Sequence, residues 1–235
     1  MKDVIKFLLL IAFALIFRFF IIEYPVYNEA ANKNDAAAQY ELGKRYYTGR
    51  TDAGRFGGHK QDYNKAFKWW LLAAKQGNAD AQYGLGECYY FGRGVDKDLN
   101  EAVKWWLLAA EQGEPYAQNF LGRCYENGRG VDKDLNEAIK WYRKAAEQGL
   151  AYAQRNLGCC YYFGNGVDKD LNEAVKWWLL AAEQGDDYAQ NNLGVCYERG
   201  EGVEKDLTEA VKWYRKAAKQ GHKSAKNRLK ALGVD

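Results

Sequence analysis

The sequence predicts an all-α fold, an α/α solenoid assembled from copies of one helix pair. Three observations lead there. A 36-residue unit, seen cleanly at 79–114 as ADAQYGLGECYYFGRGVDKDLNEAVKWWLLAAEQGE, recurs without a gap at 115–150, 151–186 and 187–222. Within each unit the apolar residues fall at helical spacing in two runs, and a short glycine-bearing turn separates them. Repetition at a period of roughly 20–50 residues marks an array in which each unit buries its neighbour's open face.

The N-terminal segment, residues 1–35, reads as a membrane anchor or signal segment plus a short linker, which predicts an N-terminal apolar helix. From Val4 to Ile22 the chain is apolar apart from Lys6 and Arg18. As a helix this stretch is about 28 Å long, enough to cross a bilayer if both cations reach the headgroups. Lys2 and Lys6 on the short N-terminal side favour a cytoplasmic N-terminus and a translocated repeat region. Three readings stand: an uncleaved membrane span through residues 4–22, a cleaved signal peptide, and an apolar helix packed on the array.

A diverged copy of the unit fills 36–78 and carries a seven-residue insert around GRTDAGRFGGHKQD. Its glycines predict a longer turn. The Lys-Ser or Lys-Thr ending and the preceding strand of a phosphate loop are both missing.

In the clean unit the first helix is expected over about 79–91, with Ala81, Leu85, Cys88 and Tyr89 as its inward stripe. Glycine stands at one place in all five units, as Gly43, Gly86, Gly122, Gly158 and Gly194. It weakens a helix, so close approach of a neighbouring helix, with small alanines across from it, is the expected reason. The turn GRGVDKD supplies two permissive glycines and Val95 as a plug. Asp98 with Glu101 is a capping pair, repeated as Asp134 with Glu137, Asp170 with Glu173 and Asp206 with Glu209. The second helix runs from Leu99 to Gln112 and stops at Gly113. The recurring Gln39, Gln82, Gln118, Gln154 and Gln190 are expected to bond the turn or helix end of the preceding unit. Residues 223–235 begin a sixth unit with a charged outer side and read as a C-terminal capping helix.

Composition excludes several classes. Net charge is +3 from 34 basic and 31 acidic residues of interspersed sign, which argues against nucleic acid as partner. The two histidines, His59 and His222, stand far apart. Neither a zinc cluster nor a nucleophile elbow emerges, so no metal, no cofactor and no catalytic residue is assigned and a non-enzyme is expected. Cys88, Cys124, Cys160 and Cys196 recur at 36-residue spacing. Equivalent points of successive units lie about one repeat apart, beyond the reach of a disulfide, so free buried thiols are expected.

The pattern A.Q..LG..Y..G.GV..D...A..WY.KAA.QG over 36–222 resembles the Sel1-like repeat, a relative of the tetratricopeptide repeat. The resemblance implies a right-handed superhelix with first helices lining a concave groove, and an adaptor that assembles protein complexes. It also implies alternatives: a cytosolic regulatory or immunity protein, or a β-lactam-associated hydrolase like the cysteine-rich members, which staple each repeat with a disulfide where this chain has one cysteine per unit. With the N-terminal span it implies a bacterial inner-membrane protein with the repeat domain exported, or a secreted or periplasmic one after cleavage.

Function is sought where the copies differ, since constant positions hold the fold. The variation has a 72-residue period: units two and four read YYF and WWLL where units three and five read YEN or YER and WYRK. On the first helices the variable places give a candidate groove for a protein or peptide: Tyr83, Tyr116, Asn119, Phe120, Tyr152, Arg155, Asn156, Tyr188, Asn191 and Asn192. On the second helices Leu71, Leu72, Leu107, Leu108, Leu179 and Leu180 alternate with Arg143, Lys144, Arg215 and Lys216. These leucines form a possible second docking face or the edge of a neighbour's core.

Overall fold

A computed structural model describes residue 29 and residues 31–49 and 61–234. The apolar segment 4–22 and residues 50–60 of the insert lie outside them. Among the described residues no helix is long and apolar enough to cross a membrane. The chain divides at Ala109/Ala110 into two compact units.

The first compact unit contains α1 (Ala36–Thr48), α2 (Tyr63–Lys75), α3 (Ala79–Phe91) and most of α4 (Leu99–Glu111). The second contains α5 (Pro115–Asn127), α6 (Leu135–Glu147), α7 (Ala151–Phe163), α8 (Leu171–Glu183), α9 (Asp187–Arg199), α10 (Leu207–Lys219) and the shorter α11 (Lys223–Ala231). Among the described residues every element is helical. First and second helices of a repeat pack together, as α5 on α6 and α9 on α10, and each second helix packs on the next first helix, as α6 on α7 and α8 on α9.

Local chemistry sets each boundary. First helices end on a left-handed glycine, for example Gly128 at φ 67° and Gly164 at φ 73°, whose amide bonds back to Cys124 or Cys160. A second glycine two residues on lies against the start of the preceding second helix. At Gly166, also at positive φ, a side chain would meet the Leu135 carbonyl oxygen at 2.5 Å. The turn closes when the amide of Asp134 or Asp170 bonds to the carbonyl of Tyr125 or Tyr161 at 2.9 Å, and Val167 of the latter turn packs against the core around Tyr142. Asp134 and Asp170 then cap α6 and α8 by accepting from Glu137 and Glu173 amides at 3.0 and 2.9 Å. The glutamates themselves take a lysine one turn on, Glu137 with Lys140 and Glu173 with Lys176, at 2.8 and 3.0 Å.

The recurrent helix glycine makes room chiefly for an aromatic ring of the second helix, not for the small alanine side chains expected; at Gly158 the Ala174 backbone oxygen also comes within 3.1 Å of where a Cβ would stand. A Cβ on Gly122, Gly158 or Gly194 would lie 2.5 Å from a ring carbon of Tyr142, Trp178 or Tyr214, and Gly43 and Gly86 make the same room for Trp70 and Trp106. Lys230 stands at this place in α11 and is exposed.

Repeats are joined by paired glutamines, each glutamine of a first helix donating to the carbonyl two residues before the preceding helix's closing Gln-Gly. Gln118, Gln154 and Gln190 donate to Ala110, Ala146 and Ala182 at 3.1, 3.2 and 3.0 Å. Each in turn accepts from the glutamine ending its own repeat, Gln148, Gln184 or Gln220, at 2.8, 2.8 and 2.9 Å. Gln82 and Gln39 repeat the first bond in the N-terminal unit, to Ala74 and Ala31. Each of these helix-end carbonyls, which already accepts the backbone amide of the residue three positions on, thereby takes a second donor from the next repeat.

Candidate protein-binding surface

Tyr116, Tyr152 and Tyr188 occupy the second position of α5, α7 and α9, one per repeat. That place lies on the side of the helix away from Ala117, Ala153 and Ala189, which are fully buried. The tyrosines are consequently 44%, 53% and 57% exposed, the largest aromatic area on the second compact unit apart from Phe163 at 65%. Tyr116 and Tyr152 stand at a depression of about 530 Å³ bordered by Gln148, Gly149, Gln184 and Gly185.

Arg155 lies between two of these rings. Its guanidinium sits 5.4 Å from the Tyr152 centroid and 5.2 Å from the Tyr188 centroid, and its Nη1 pairs with Asp186 Oδ2 at 2.8 Å. Asp186 is the N-cap of α9 and also accepts the Ala189 amide at 2.8 Å. Burial pushes its carboxyl up, against the downward pull of that amide and of Arg155. Arg155 is therefore a strut that fixes the spacing of two tyrosines. The Tyr188 ring also meets His222 edge-on at 4.9 Å.

The other first-helix candidates divide by environment. Asn119 is 5% exposed and accepts from Asn156 Nδ2 at 2.9 Å, a bond linking α5 to α7. Phe120 is half-buried under the Arg123 guanidinium at 5.7 Å. Tyr83, in the first compact unit, is half-buried, and its carbonyl accepts the Trp106 indole at 3.2 Å. Asn191 borders a small depression with Tyr214 and Arg228. Asn192 borders another, of about 260 Å³, with Cys159, Tyr162, Phe163 and Trp178. Sequence reasoning did not assign Phe163 or that apolar depression to the surface. The signal was the YYF ending, noted there only as a difference between copies.

The leucine pairs split one inward and one outward. Leu71 and Leu179 pack on the cores around Trp70 and Trp178. Leu107 is half-buried, while Leu72, Leu108 and Leu180 are each 45% exposed. At the inward place of unit three, Arg143 reaches across to the Tyr161 hydroxyl at 2.6 Å. At the outward place Lys144 and Lys216 cover the rings of Trp141 and Trp213 at 4.2 and 3.8 Å.

The five cysteines are free, four of them buried. Burial pushes the Cys88, Cys160 and Cys196 thiols up to about 12 and Cys124 to about 11. Such thiols are neutral and unreactive at ordinary pH. Among the described residues no three or more His, Cys, Asp or Glu side chains are placed to hold a metal ion.

Five copies of the Sel1 repeat match the chain, at residues 36–78, 79–114, 115–150, 151–186 and 187–222. The chain is similar to a protective antigen of uropathogenic Escherichia coli, at 38% identity and a TM-score of 0.79 over 86% of this chain and 42% of the other. It thus spans about two fifths of that structure. It is also similar to a Sel1 repeat protein of Oxalobacter formigenes, at 40% identity and a TM-score of 0.74 over 82% of this chain and 74% of the other. An immunity protein of Pseudomonas aeruginosa shares the fold at 23% identity and a TM-score of 0.52, over 81% of this chain and 67% of that one. No curated protein matches. The chain belongs to the Sel1 repeat family.

Proposed function

We propose that the chain is a scaffold that binds another protein or peptide through the first-helix face of residues 110–235. The observation that carries this reading is the row Tyr116, Tyr152 and Tyr188, each about half exposed at the same place in consecutive repeats. Tyrosine gives large contact area with a polar tip at low entropic cost, and it is enriched where binding energy concentrates. Arg155 pre-sets two of the rings, which lowers the ordering cost of binding. Phe163, Asn191 and Asn192 extend the same face with apolar area and directional hydrogen-bonding groups.

A photo-crosslinking residue at Tyr152 tests this, with the same residue at Lys176 as an outer-face control. Partner adducts from Tyr152 and none from Lys176 are expected; equal yields from both would remove the reading. The apolar segment 4–22 tethers the scaffold on this account, at the inner membrane with the repeats exported. Fractionation with and without residues 1–30 tests that tether: the full chain goes to the membrane fraction, and a shortened chain that goes there equally would contradict it.

A further inference from the structure

The charge of this chain is not spread evenly. Between Val211 and Val234 there are eight basic and no acidic side chains, +8 in a protein whose total is +3, so the rest of the chain carries −5. The eight are Lys212, Arg215, Lys216, Lys219 and, on or beside α11, Lys223, Lys226, Arg228 and Lys230; all are exposed. Lys212 and Arg228 pair with Glu209 and Glu198. Lys219, Lys223, Lys226 and Lys230 have no ion pair among the described residues. Lys223, Lys226 and Lys230 stand at i, i+3 and i+7, one stripe of α11 turned away from its buried Ala225 and Leu229.

Ordinary capping does not account for this recharging. Where earlier repeats have Glu183, Asp186 and Asp187, this one has Lys219, His222 and Lys223; where they have the clamping glutamine it has Lys226. α11 has no acidic residue in its first turn, which places cations at the positive end of the helix dipole, a local cost to stability. A capping helix needs only a polar outer face, and mixed charges would provide that.

We propose that the C-terminal end of the array is an adsorption surface for an anionic lipid bilayer. Three observations select that occupant. Six of the eight cations are lysine, a strongly hydrated point charge suited to a fluid anionic surface, whereas docking of discrete phosphates favours the planar fork of arginine. Lysine is depleted from protein interfaces, and the aromatic residues of the stretch itself, Trp213 and Tyr214, are buried, with Tyr188 only at its edge beside His222. The stretch itself has no exposed aromatic ring on which nucleic-acid bases could stack.

The test uses the full chain and two vesicle populations, phosphatidylcholine alone and phosphatidylcholine with about 30% phosphatidylglycerol. The readout is the ratio of the two partition coefficients, in which binding through the apolar segment cancels. Replacing Lys219, Lys223, Lys226 and Lys230 by Gln is expected to lower that ratio by roughly tenfold or more, and about 0.5 M salt to erase it in the unmodified chain. A control with Lys97, Lys133, Lys169 and Lys205 replaced by Gln removes equal charge from the turns and keeps most of the ratio. An unchanged ratio in the first variant, or an equal fall in both, overturns the proposal. So does a first variant that loses affinity for a short RNA duplex while its vesicle ratio stays unaltered. Circular dichroism of both variants shows that the helices persist.

Discussion

The Tyr142 hydroxyl donates to Glu126 Oε2 at 2.8 Å, and this bond accounts for much of the 72-residue alternation along the chain. Tyr214 repeats it with Glu198 at 2.8 Å. In the other copies both partners change together: Tyr162 faces Trp178 with centroids 5.2 Å apart at 41°, and Tyr90 faces Trp106 at 5.4 Å. The two repeat types are two solutions to one packing problem above the same helix glycine. Glu126→Tyr or Tyr142→Trp alone is expected to cost about 1–3 kcal/mol, because each strands a half-buried polar group. The double variant recreates the Tyr162–Trp178 pair and regains most of that loss, a coupling that urea denaturation of the four proteins measures.

Gly158→Ala sets a methyl against Trp178, whose ring lies 2.5 Å from the position of that Cβ. Overpacking of this kind costs about 1–3 kcal/mol despite alanine's better helix propensity. The change Lys230→Ala, at the equivalent place in α11, is within about 0.5 kcal/mol of neutral, since Lys230 is exposed. Thermal melts of both variants check the contrast.

Gln154 is 4% exposed and holds the Ala146 carbonyl while accepting from Gln184. Gln154→Ala removes one of two donors to the Ala146 carbonyl, which the Gly149 amide still holds at 2.9 Å, and one acceptor of the exposed Gln184, so it is expected to cost about 1 kcal/mol. The loss is local to the joint between the third and fourth repeats, so amide exchange quickens first at the end of α6 and the start of α7.

Arg228 anchors α11 to α9 through Glu198, with Nε 2.7 Å from Oε2. That hydrogen bond, outweighing desolvation, holds the Glu198 carboxyl below its ordinary value of 4.5. A depressed carboxylate contributes its full stability above the unfolded value and loses it as pH falls through the folded one. The end of the array should therefore be intact at pH 6 and loosen below about pH 4.5, with α11 amides exchanging before those of α7. Glu198→Gln makes the protection of the α11 amides, taken relative to their intrinsic exchange rate, nearly independent of pH over that window.

Much of the fold was legible in the sequence because each repeat states its helices, caps and turns in the same words. The helix bounds 79–91, the aspartate caps, the left-handed glycines and the glutamine bonds all follow from local rules that leave a mark at fixed spacing. What faces the helix glycine was not legible: Gly158 and Trp178 are 20 residues apart on different helices, and only packing joins them. The surface was read more coarsely. Variation alone predicts one face, yet Asn119 and Asn156 bond each other and Arg155 is held by Asp186, so variation there reflects neighbour matching as much as recognition. Leu71 and Leu179 belong to core edges for the same reason. Tyr152 and Tyr188 differ from these in keeping half their area in solvent.

The central claim is that this tyrosine row binds a protein, and it is most directly tested by the chain with Tyr116, Tyr152 and Tyr188 all replaced by Ala. Partner capture from native membranes is measured beside circular dichroism at 222 nm, a wavelength set by the helical backbone, with the Leu72, Leu108 and Leu180 to Ala variant run in parallel. The account predicts unchanged helicity and a loss of captured partner of roughly a hundredfold or more, since three anchors of about 1–2 kcal/mol each are removed. Full capture by the tyrosine variant, with its helices intact, would contradict it.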